Sequence, residues 1–386
     1  MTTIVTADAL FDGTGLVHNP LVTIDNGEIT SISTRDAAAV PVGARVIEIS
    51  GATLSPAFFD IHIHGAAGHD VMEATPEALG AMGRFLASRG TGSFLATIVT
   101  APLDATFRSL EGLAKLIAQA PATGSARPLG IHLEGPFLSH AKRGVHPPEY
   151  LLEPDVAVFD KLFEAAQGKV RLMTLAPELP GAPELAAHAV KRGVRISLGH
   201  SNATAAETRA VIAVGATSAT HTFNAMRPLD HREPGILGVA LTDDTIFAEL
   251  VCDGIHTAPE MARLWWRAKG ANRAILVTDA MSATGMPDGE YQLGGFAVQV
   301  AKGRATRDGV LAGSVLTLDR ALANCVAFTG ATVLDGLRLL TTNPAIMTGL
   351  ADRVGRIAAG GRANLVAVGS NGALVATLIE GEVVPA

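Results

Sequence analysis

The chain has few cysteines, no run of basic residues and no long uninterrupted apolar segment. Its two cysteines, Cys252 and Cys325, are too few for a disulfide framework and form no C-x-x-C pair, so we expect a reducing compartment and two buried thiols. No apolar run of about 18 residues and no charged leader followed by an apolar stretch occurs, which indicates a cytoplasmic protein without membrane contact. A net charge of -7 without a basic cluster argues against nucleic acid as a partner.

What the sequence does contain is a series of apolar, strand-like segments that end in polar residues able to bind a metal or transfer a proton. Helical segments at 76–89, 154–167, 182–192 and 203–214 lie between such strands, and this alternation indicates a parallel sheet covered by helices. A (β/α)8 barrel commonly uses about 250 residues or more, so 386 residues suffice for a barrel and a small companion domain. The polar residues at the segment ends are His62, His64, Glu134, His200, His221 and Asp279.

We therefore predict an α/β fold, with a (β/α)8 TIM-like barrel at 56–351 whose functional groups lie at the carboxyl ends of its strands. Residues 1–55 and 352–386 contain short β-type runs, and Asn26-Gly27 between two of them is a strong hairpin signal. Each terminal piece is too short to bury a core alone. We expect the two pieces to combine into one small β-sandwich outside the barrel.

A His-x-His pair closes the first of these segments. Because side chains alternate along a strand, His62 and His64 can present both imidazoles to one pocket while Ile61 and Ile63 pack the other way. An isolated pair of this kind is often only structural. The further polar strand ends downstream favour a metal site instead.

The later strand ends supply a second set of donors. Glu134, His200 and His221 offer one carboxylate and two imidazoles, which suits Zn²⁺ or Fe²⁺ and leaves coordination positions open. Simpler explanations exist, since Glu134 could cap the following turn and Asp279 could be a helix N-cap. His132 shares the face of Glu134, and we interpret it as structural.

Several motifs together resemble the amidohydrolase superfamily of metal-dependent hydrolases and, within it, the N-acetylglucosamine-6-phosphate deacetylase family. They run in the order of that family through nearly the whole chain, which makes the resemblance specific. The motifs are LSPAFFD leading into the His-x-His pair, HLEGPF at 132–137, LGHSNAT at 198–204, THTFNAM at 220–226, REPG at 232–235, DGIH at 253–256 and TDA at 278–280.

The resemblance implies metal-dependent hydrolysis of N-acetyl-D-glucosamine 6-phosphate to D-glucosamine 6-phosphate and acetate. Glu134, His200 and His221 match the main metal ligands, and a metal-activated water is the implied nucleophile. Asp279 matches the general base that later protonates the leaving amine. Some relatives lack the His-x-His pair and hold one metal, so His62 and His64 imply a second, less fully occupied position, giving one or two Zn²⁺ or Fe²⁺ ions per subunit.

The resemblance also implies which residues contact the phosphosugar. His146 is expected to hold a sugar hydroxyl, His256 the acetyl carbonyl, and Arg232 the phosphate across the interface of a homodimer. The loop at 311–314 resembles the family loop that closes on the sugar. The complete implied set is Val145, His146, Asn224, Ala225, Arg232, His256, Leu311, Ala312 and Gly313.

Alternatives remain open at this stage. Motifs cannot separate epimers, so N-acetylgalactosamine 6-phosphate or another N-acyl amino sugar is an alternative substrate. A barrel that binds phosphosugar as a sensor without turnover is a second alternative, although an intact Asp279 argues against it. Arg232 could also form a surface ion pair with Glu233. The absence of a bridging lysine at the strand that ends in Glu134 counts against hydantoinase or dihydroorotase activity.

Overall fold

The computed structural model describes residues 2–119 and 124–385. Within these ranges, one sheet of eight parallel strands forms a barrel, and a parallel bridge between Ile63 and Ala280 connects its first strand to the segment after its last. The fold is the predicted (β/α)8 barrel. Numbered in chain order with all other strands, the barrel strands are β6 (Phe58–Ile63), β9 (Thr91–Val99), β10 (Arg127–Glu134), β11 (Val170–Leu175), β12 (Arg195–Leu198), β13 (Ala216–Ala219), β14 (Phe247–Val251) and β15 (Ala274–Val277).

Helices cover the outside of the barrel and complete its apolar core with the strands. Side-chain caps fix several helix starts, as at Thr204, whose hydroxyl accepts a hydrogen bond from the backbone N–H of Glu207. The four predicted helices are confirmed to within two residues at each end. The helices are α1 (Pro76–Ser88), α2 (Leu103–Ile117), α3 (Val156–Ala165), α4 (Ala182–Lys191), α5 (Ala205–Ala213), α6 (Gly235–Thr242), α7 (Pro259–Arg273), α8 (Leu318–Thr329), α9 (Val333–Leu340) and α10 (Thr342–Thr348).

Both ends of the chain enter one further eight-stranded sheet, which forms a small β domain with its own apolar core. Asn26 and Gly27 form the two-residue turn between β3 and β4, both with positive φ, as the hairpin signal predicted. The exact division at 1–55 and 352–386 stays a prediction. The strands are β1 (Thr3–Phe11), β2 (Leu16–His18), β3 (Pro20–Asp25), β4 (Glu28–Thr34), β5 (Arg45–Pro56), β20 (Leu365–Gly369), β21 (Leu374–Ile379) and β22 (Glu382–Val383).

A four-stranded antiparallel sheet lies between β15 and α8, and the sequence reasoning did not predict it. Its tight turns are Gly294-Gly295, Lys302-Gly303 and Asp308-Gly309, all with positive φ. Leu293 and Val298 pack this sheet against Val99 and Met281 at the barrel mouth. Its strands are β16 (Gly289–Leu293), β17 (Phe296–Ala301), β18 (Arg304–Arg307) and β19 (Val310–Leu311), and a two-stranded ribbon, β7 (Gly65–Ala66) with β8 (His69–Asp70), lies after β6.

Two further observations concern the composition of the core. Cys252 and Cys325 are both buried and free, as predicted for small apolar groups. Among the described helices, none has the combination of length and apolar character that crossing a membrane requires.

Candidate metal centre

One group of possible metal ligands comes from the two ends of the barrel sheet. His62 lies in β6 and His64 follows its last residue, while Asp279 lies two residues after the end of β15. Oδ1 of Asp279 lies 3.1 Å from Nε2 of His64 and 3.6 Å from Nε2 of His62, and the two Nε2 atoms are 3.3 Å apart. These three side chains are buried and could hold one metal ion. We call them the inner cluster.

A second group comes from the middle of the sheet. Glu134 ends β10, while His200 and His221 follow β12 and β13. Nε2 of His200 and Nε2 of His221 lie 3.2 and 3.1 Å from Oε1 of Glu134, and 3.0 Å from each other. This group could also hold one metal ion, and we call it the outer cluster.

Glu134 contacts both clusters. Its Oε1 lies 3.3 Å from Nε2 of His62, and its Oε2 lies 3.2 Å from Nε2 of His64. A carboxylate in this position could bind one ion through each of its two oxygens. Glu134 therefore lies where it could bridge the two positions.

The hydrogen bonds of the histidine Nδ1 atoms test whether these residues fit a metal. Nδ1 of His64 contacts the Thr97 carbonyl oxygen at 3.1 Å, and Nδ1 of His200 contacts the Lys142 carbonyl oxygen at 2.9 Å. Because carbonyl oxygens only accept, both Nδ1 atoms carry the hydrogen, which leaves the Nε2 lone pairs pointing into the site when the rings are neutral. Lone pairs and carboxylates that converge in this way need a cation between them, so the donor set fits a divalent metal.

The electrostatics of the site favour positive charge in the same place. Burial alone would lower the pKa of His64, but hydrogen bonds to Asp279 and Glu134 outweigh it and raise that pKa to about 9. Burial alone would raise the pKa of Glu134, but the charge of His62 and the hydrogen bonds of His200 and His221 hold it well below its usual value. A metal ion would replace these protons, since metal binding and proton release are coupled.

Backbone strain is concentrated at the same rim. His200, His221 and Asp279 have φ values of 47°, 27° and 51°, in the left-handed region that residues with a side chain seldom adopt. Each such residue costs about 1–3 kcal/mol, which the surrounding structure must offset. The three residues bend the chain at the point where each strand ends.

A cavity of about 370 Å³ opens above the two clusters. It brings together most of the residues that the sequence indicated, while His62 lies behind His64 with no exposed surface. Ala312 is buried beside the cavity between two residues that line it. The predicted residues that line the cavity are His64, Glu134, Val145, His146, His200, His221, Asn224, Ala225, His256, Asp279, Leu311 and Gly313.

Arg232 is the predicted residue that the chain does not bring to its own cavity. It lies exposed in the loop before α6, where its backbone N–H donates to Oδ1 of Asp230. Among the described residues, Glu233 makes no ion pair with Arg232 and instead accepts backbone hydrogen bonds from Ala205 and Gly235. The ion-pair alternative therefore has no support in the structure.

Hydrogen bonds orient two histidines that line the cavity, His256 and His146. Nδ1 of His256 lies 2.7 Å from Oδ2 of Asp253. Nδ1 of His146 lies 2.9 Å from the Thr100 hydroxyl, and burial lowers the pKa of His146 to about 3, so this ring is neutral. An imidazole paired with a carboxylate and a neutral imidazole thus face the same cavity.

The loop at 311–314 is hydrogen-bonded to the backbone of Asp279 and of the residue before it. The Ser314 N–H donates to the Asp279 carbonyl oxygen, and the Ser314 hydroxyl donates to the Thr278 carbonyl oxygen at 2.6 Å. Gly313 has a φ of 66°, and a Cβ there would lie 3.0 Å from the Asp279 carbonyl oxygen. Glycine at this position allows the loop to approach the site closely.

Sequence reasoning missed several residues that line or support the site. Lys142, Leu293, Phe296 and Val310 line the cavity, and the last three belong to the unpredicted sheet or its turn. The Asp308-Gly309 and Gly294-Gly295 turns were an available signal for that sheet. The position of Lys142 at the cavity could not be predicted, because nothing in the sequence shows which way its loop folds.

A buried cluster of histidines and carboxylates at the carboxyl rim of a (β/α)8 barrel is typical of metal-dependent barrel enzymes. The model of the amidohydrolase family matches residues 53–384, and the chain belongs to that family.

Among the relatives that match nearly the whole chain are proteins named as deacetylases of amino-sugar phosphates. The chain is 39% identical over 373 residues to an N-acetylgalactosamine-6-phosphate deacetylase of Escherichia coli O157:H7, covering 96% of both chains. It is 36% identical over 371 residues to an N-acetylglucosamine-6-phosphate deacetylase of Bacillus subtilis (strain 168), covering 95% of this chain and 93% of the other. Among solved structures, a mutant N-acetyl-D-glucosamine-6-phosphate deacetylase from Mycobacterium smegmatis, in complex with N-acetyl-D-glucosamine-6-phosphate, matches with a TM-score of 0.91 and 35% identity over 100% of both chains.

Proposed function

We propose that this chain hydrolyses N-acetyl-D-glucosamine 6-phosphate to D-glucosamine 6-phosphate and acetate. The observation that carries the proposal is the cavity in which Asp279 faces two groups of metal-binding side chains, beside residues matched to the sugar phosphate. Relatives with this activity cover nearly the whole chain. The fold alone would not support the assignment, since barrels host many chemistries.

The ligand groups would hold one or two divalent ions per subunit, and we propose Zn²⁺ or Fe²⁺. His200, His221 and Glu134 would hold the first ion, and the inner cluster would hold the second. When bound, such an ion polarises the amide carbonyl and makes water acidic enough to deprotonate near neutral pH.

Asp279 is the proposed proton carrier. Burial alone would raise its pKa, but the hydrogen bond from His64 and the charges of His62 and His64 lower the pKa to about 2, so the carboxylate is ionised at neutral pH. It accepts a proton from the attacking water as the water oxygen bonds to the acetyl carbon. It then delivers that proton to the nitrogen as the C–N bond breaks, releasing the amine and acetate.

The remaining residues orient the sugar phosphate. Burial alone would lower the pKa of His256, but its hydrogen bond to Asp253 and the charge of that carboxylate raise it, which favours a protonated ring at the cavity. Asn224 and Ala225 line the same cavity, where the Asn224 amide and a backbone N–H can donate to an anion. We propose that Arg232 reaches the phosphate in the partner subunit of a homodimer, because it lies exposed and away from its own cavity.

The sheet above the cavity has a proposed role in excluding water. Phe296, Val310 and Leu311 add apolar surface to the cavity that the metal ligands also line. An apolar cover strengthens the electrostatic interactions inside the site and limits competing hydrolysis. The cytoplasmic location expected from the composition stays a prediction.

Acetate release by purified protein of known metal content tests the proposal. We expect fast turnover of N-acetylglucosamine 6-phosphate and at least about 100-fold slower turnover of unphosphorylated N-acetylglucosamine, since charged hydrogen bonds contribute about 1.5–3 kcal/mol each. The galacto epimer is the second candidate, because one relative at 39% identity is a deacetylase of N-acetylgalactosamine 6-phosphate. Preference for that epimer would shift the assignment, and no turnover with metal bound would overturn it.

A further inference from the structure

A buried glutamate outside the two ligand groups lies directly behind them. Glu249 is the middle residue of β14, has no exposed surface and points into the barrel. Its Oε2 lies 3.4 Å from Nδ1 of His62 and accepts the backbone N–H of His221 at 3.3 Å. Its Oε1 has no hydrogen-bond partner among the described residues.

Such a position is costly for a carboxylate. Removing a carboxylate from water costs several kcal/mol unless a counter-charge and hydrogen bonds offset it. The neighbouring positions of β14 are apolar and buried, so the strand offers no other compensation. The imidazole of His62 is the side chain in direct contact, and its Nε2 faces the other two residues of the inner cluster, His64 and Asp279.

We infer that Glu249 is a positioning residue for the metal position formed by His62, His64 and Asp279. By accepting the Nδ1 hydrogen of His62, it fixes the ring so that the Nε2 lone pair faces that position and is more basic. His64 receives the equivalent support from the neutral Thr97 carbonyl oxygen. The inference rests on the proposed metal centre and extends it with a residue that binds neither metal nor substrate.

The charge of Glu249 separates this role from a purely structural one. Gln at this position keeps an acceptor for one N–H group but lacks the negative charge, and it fits the same volume. If Glu249 only filled space and accepted the His221 N–H, Gln would be equivalent. If it supports His62 as a ligand, Gln weakens metal binding at the inner cluster and leaves the outer cluster nearly unchanged.

Metal binding by the full-length protein tests the inference directly. Wild type, Glu249→Gln and Glu249→Ala are stripped with a chelator and titrated with Co²⁺, and the absorption bands and the bound-metal stoichiometry by mass spectrometry are followed. We expect two ions in wild type, and in Glu249→Gln an inner-cluster affinity about 10- to 100-fold weaker, the range usual for residues that support a metal ligand. Glu249→Ala also loses the His221 contact, so we expect it to weaken both positions.

Glu178→Gln is the matched control, because Glu178 is a half-buried carboxylate at the same rim that bonds Ser201 and Asn202 rather than a ligand ring. It should bind two ions as wild type does. Equal affinities of wild type and Glu249→Gln for both ions would overturn the inference and leave the deacetylase assignment intact. Binding of a single ion by wild type that still releases acetate would also overturn it, while loss of acetate release in wild type would count against the proposed function itself.

Discussion

The two ligand clusters are built differently, although Glu134 of the outer cluster contacts the histidines of both. In the outer cluster, His200 and His221 follow their strands in left-handed backbone conformations and line the cavity. In the inner cluster, His62 lies within β6 and is fully buried. Its Nδ1 contacts Glu249, and Nδ1 of His64 contacts the Thr97 carbonyl oxygen. All three residues of the outer cluster line the cavity, whereas in the inner cluster His64 and Asp279 line it and His62 does not.

This difference separates the roles of the two positions. Asp279 belongs to the inner cluster and is also the proposed proton carrier, so an ion held there competes with protons for the same carboxylate. An ion held by the outer cluster leaves Asp279 free to transfer protons. We therefore expect the outer cluster to determine turnover and the inner cluster to modulate it, and substitutions in each cluster can test this division.

The largest effect is expected for Glu134→Ala, which removes an outer-cluster ligand that also contacts both histidines of the inner cluster. Both ions should be lost, and acetate release should fall by roughly 10⁴-fold, because a bound metal contributes several kcal/mol to the transition state. Metal analysis together with initial rates checks this expectation. Glu178→Gln at the same rim should retain both metal and activity, and retention of two ions by Glu134→Ala would show that the bridging role is wrong.

Asp279→Asn should separate proton transfer from metal binding. Acetate release should fall about 10³-fold, within the range for loss of a general acid–base group, while the outer cluster keeps its ion. Single-turnover rates and metal content, measured on the same sample, give both quantities. Equal loss of turnover and of the outer ion would place Asp279 among the structural ligands instead.

Arg232→Ala tests the contribution of a second subunit. Loss of a charged hydrogen bond to phosphate should raise KM for the phosphorylated substrate by about 10- to 100-fold and leave the slow reaction of the unphosphorylated sugar unchanged. Mixed dimers provide the control. Co-refolded Arg232→Ala and Asp279→Asn subunits should regain activity, since one mixed site then contains both intact residues, and absence of any recovery would place Arg232 in its own subunit's site.

His64→Asn should disturb the inner cluster alone. We expect the metal content to drop from two ions to one and kcat to change by no more than about 10-fold, because the outer cluster and Asp279 remain. Titration with metal after chelation, with acetate release measured at each addition, checks the prediction. If activity returned only with a second ion, the inner cluster would be as necessary for turnover as the outer one.

The outer cluster was the easier of the two to predict from the sequence. Glu134, His200 and His221 end apolar segments, and the carboxyl ends of parallel strands meet at one rim, so pattern and family resemblance agree. Glu249 was missed because it lies inside the apolar segment Phe247–Val251, where only the register of the closed barrel decides which side chains face the interior. The left-handed conformations at the rim and the contact of the 311–314 loop with Asp279 likewise depend on tertiary packing.

The smallest effect concerns folding stability and the pair formed by Asp253 and His256, which lies outside both clusters. Burial alone would lower the pKa of His256, but Asp253 raises it above its usual value of 6.5, with Asp279 adding to the increase and Arg304 opposing it. A histidine whose folded pKa is raised stabilises the fold fully below about pH 6.5, and this contribution is lost as pH rises through the folded pKa. Asp253 has a lowered pKa despite its burial, so it stays ionised throughout this range.

We therefore expect His256→Gln to lower the free energy of unfolding by about 1.5–3 kcal/mol at pH 6, the usual contribution of a hydrogen bond to a charged group, and by less at pH 9. Urea unfolding of both proteins at each pH, with saturating metal, measures the difference, and comparison at the same pH removes contributions that the two proteins share. In an Asp253→Asn background the same substitution should have little effect at either pH, because the charge that holds the proton on His256 is gone. If the difference in the free energy of unfolding grew from pH 6 to pH 9, His256 would be neutral in the folded protein. The cavity would then lack the protonated ring proposed to face the phosphosugar.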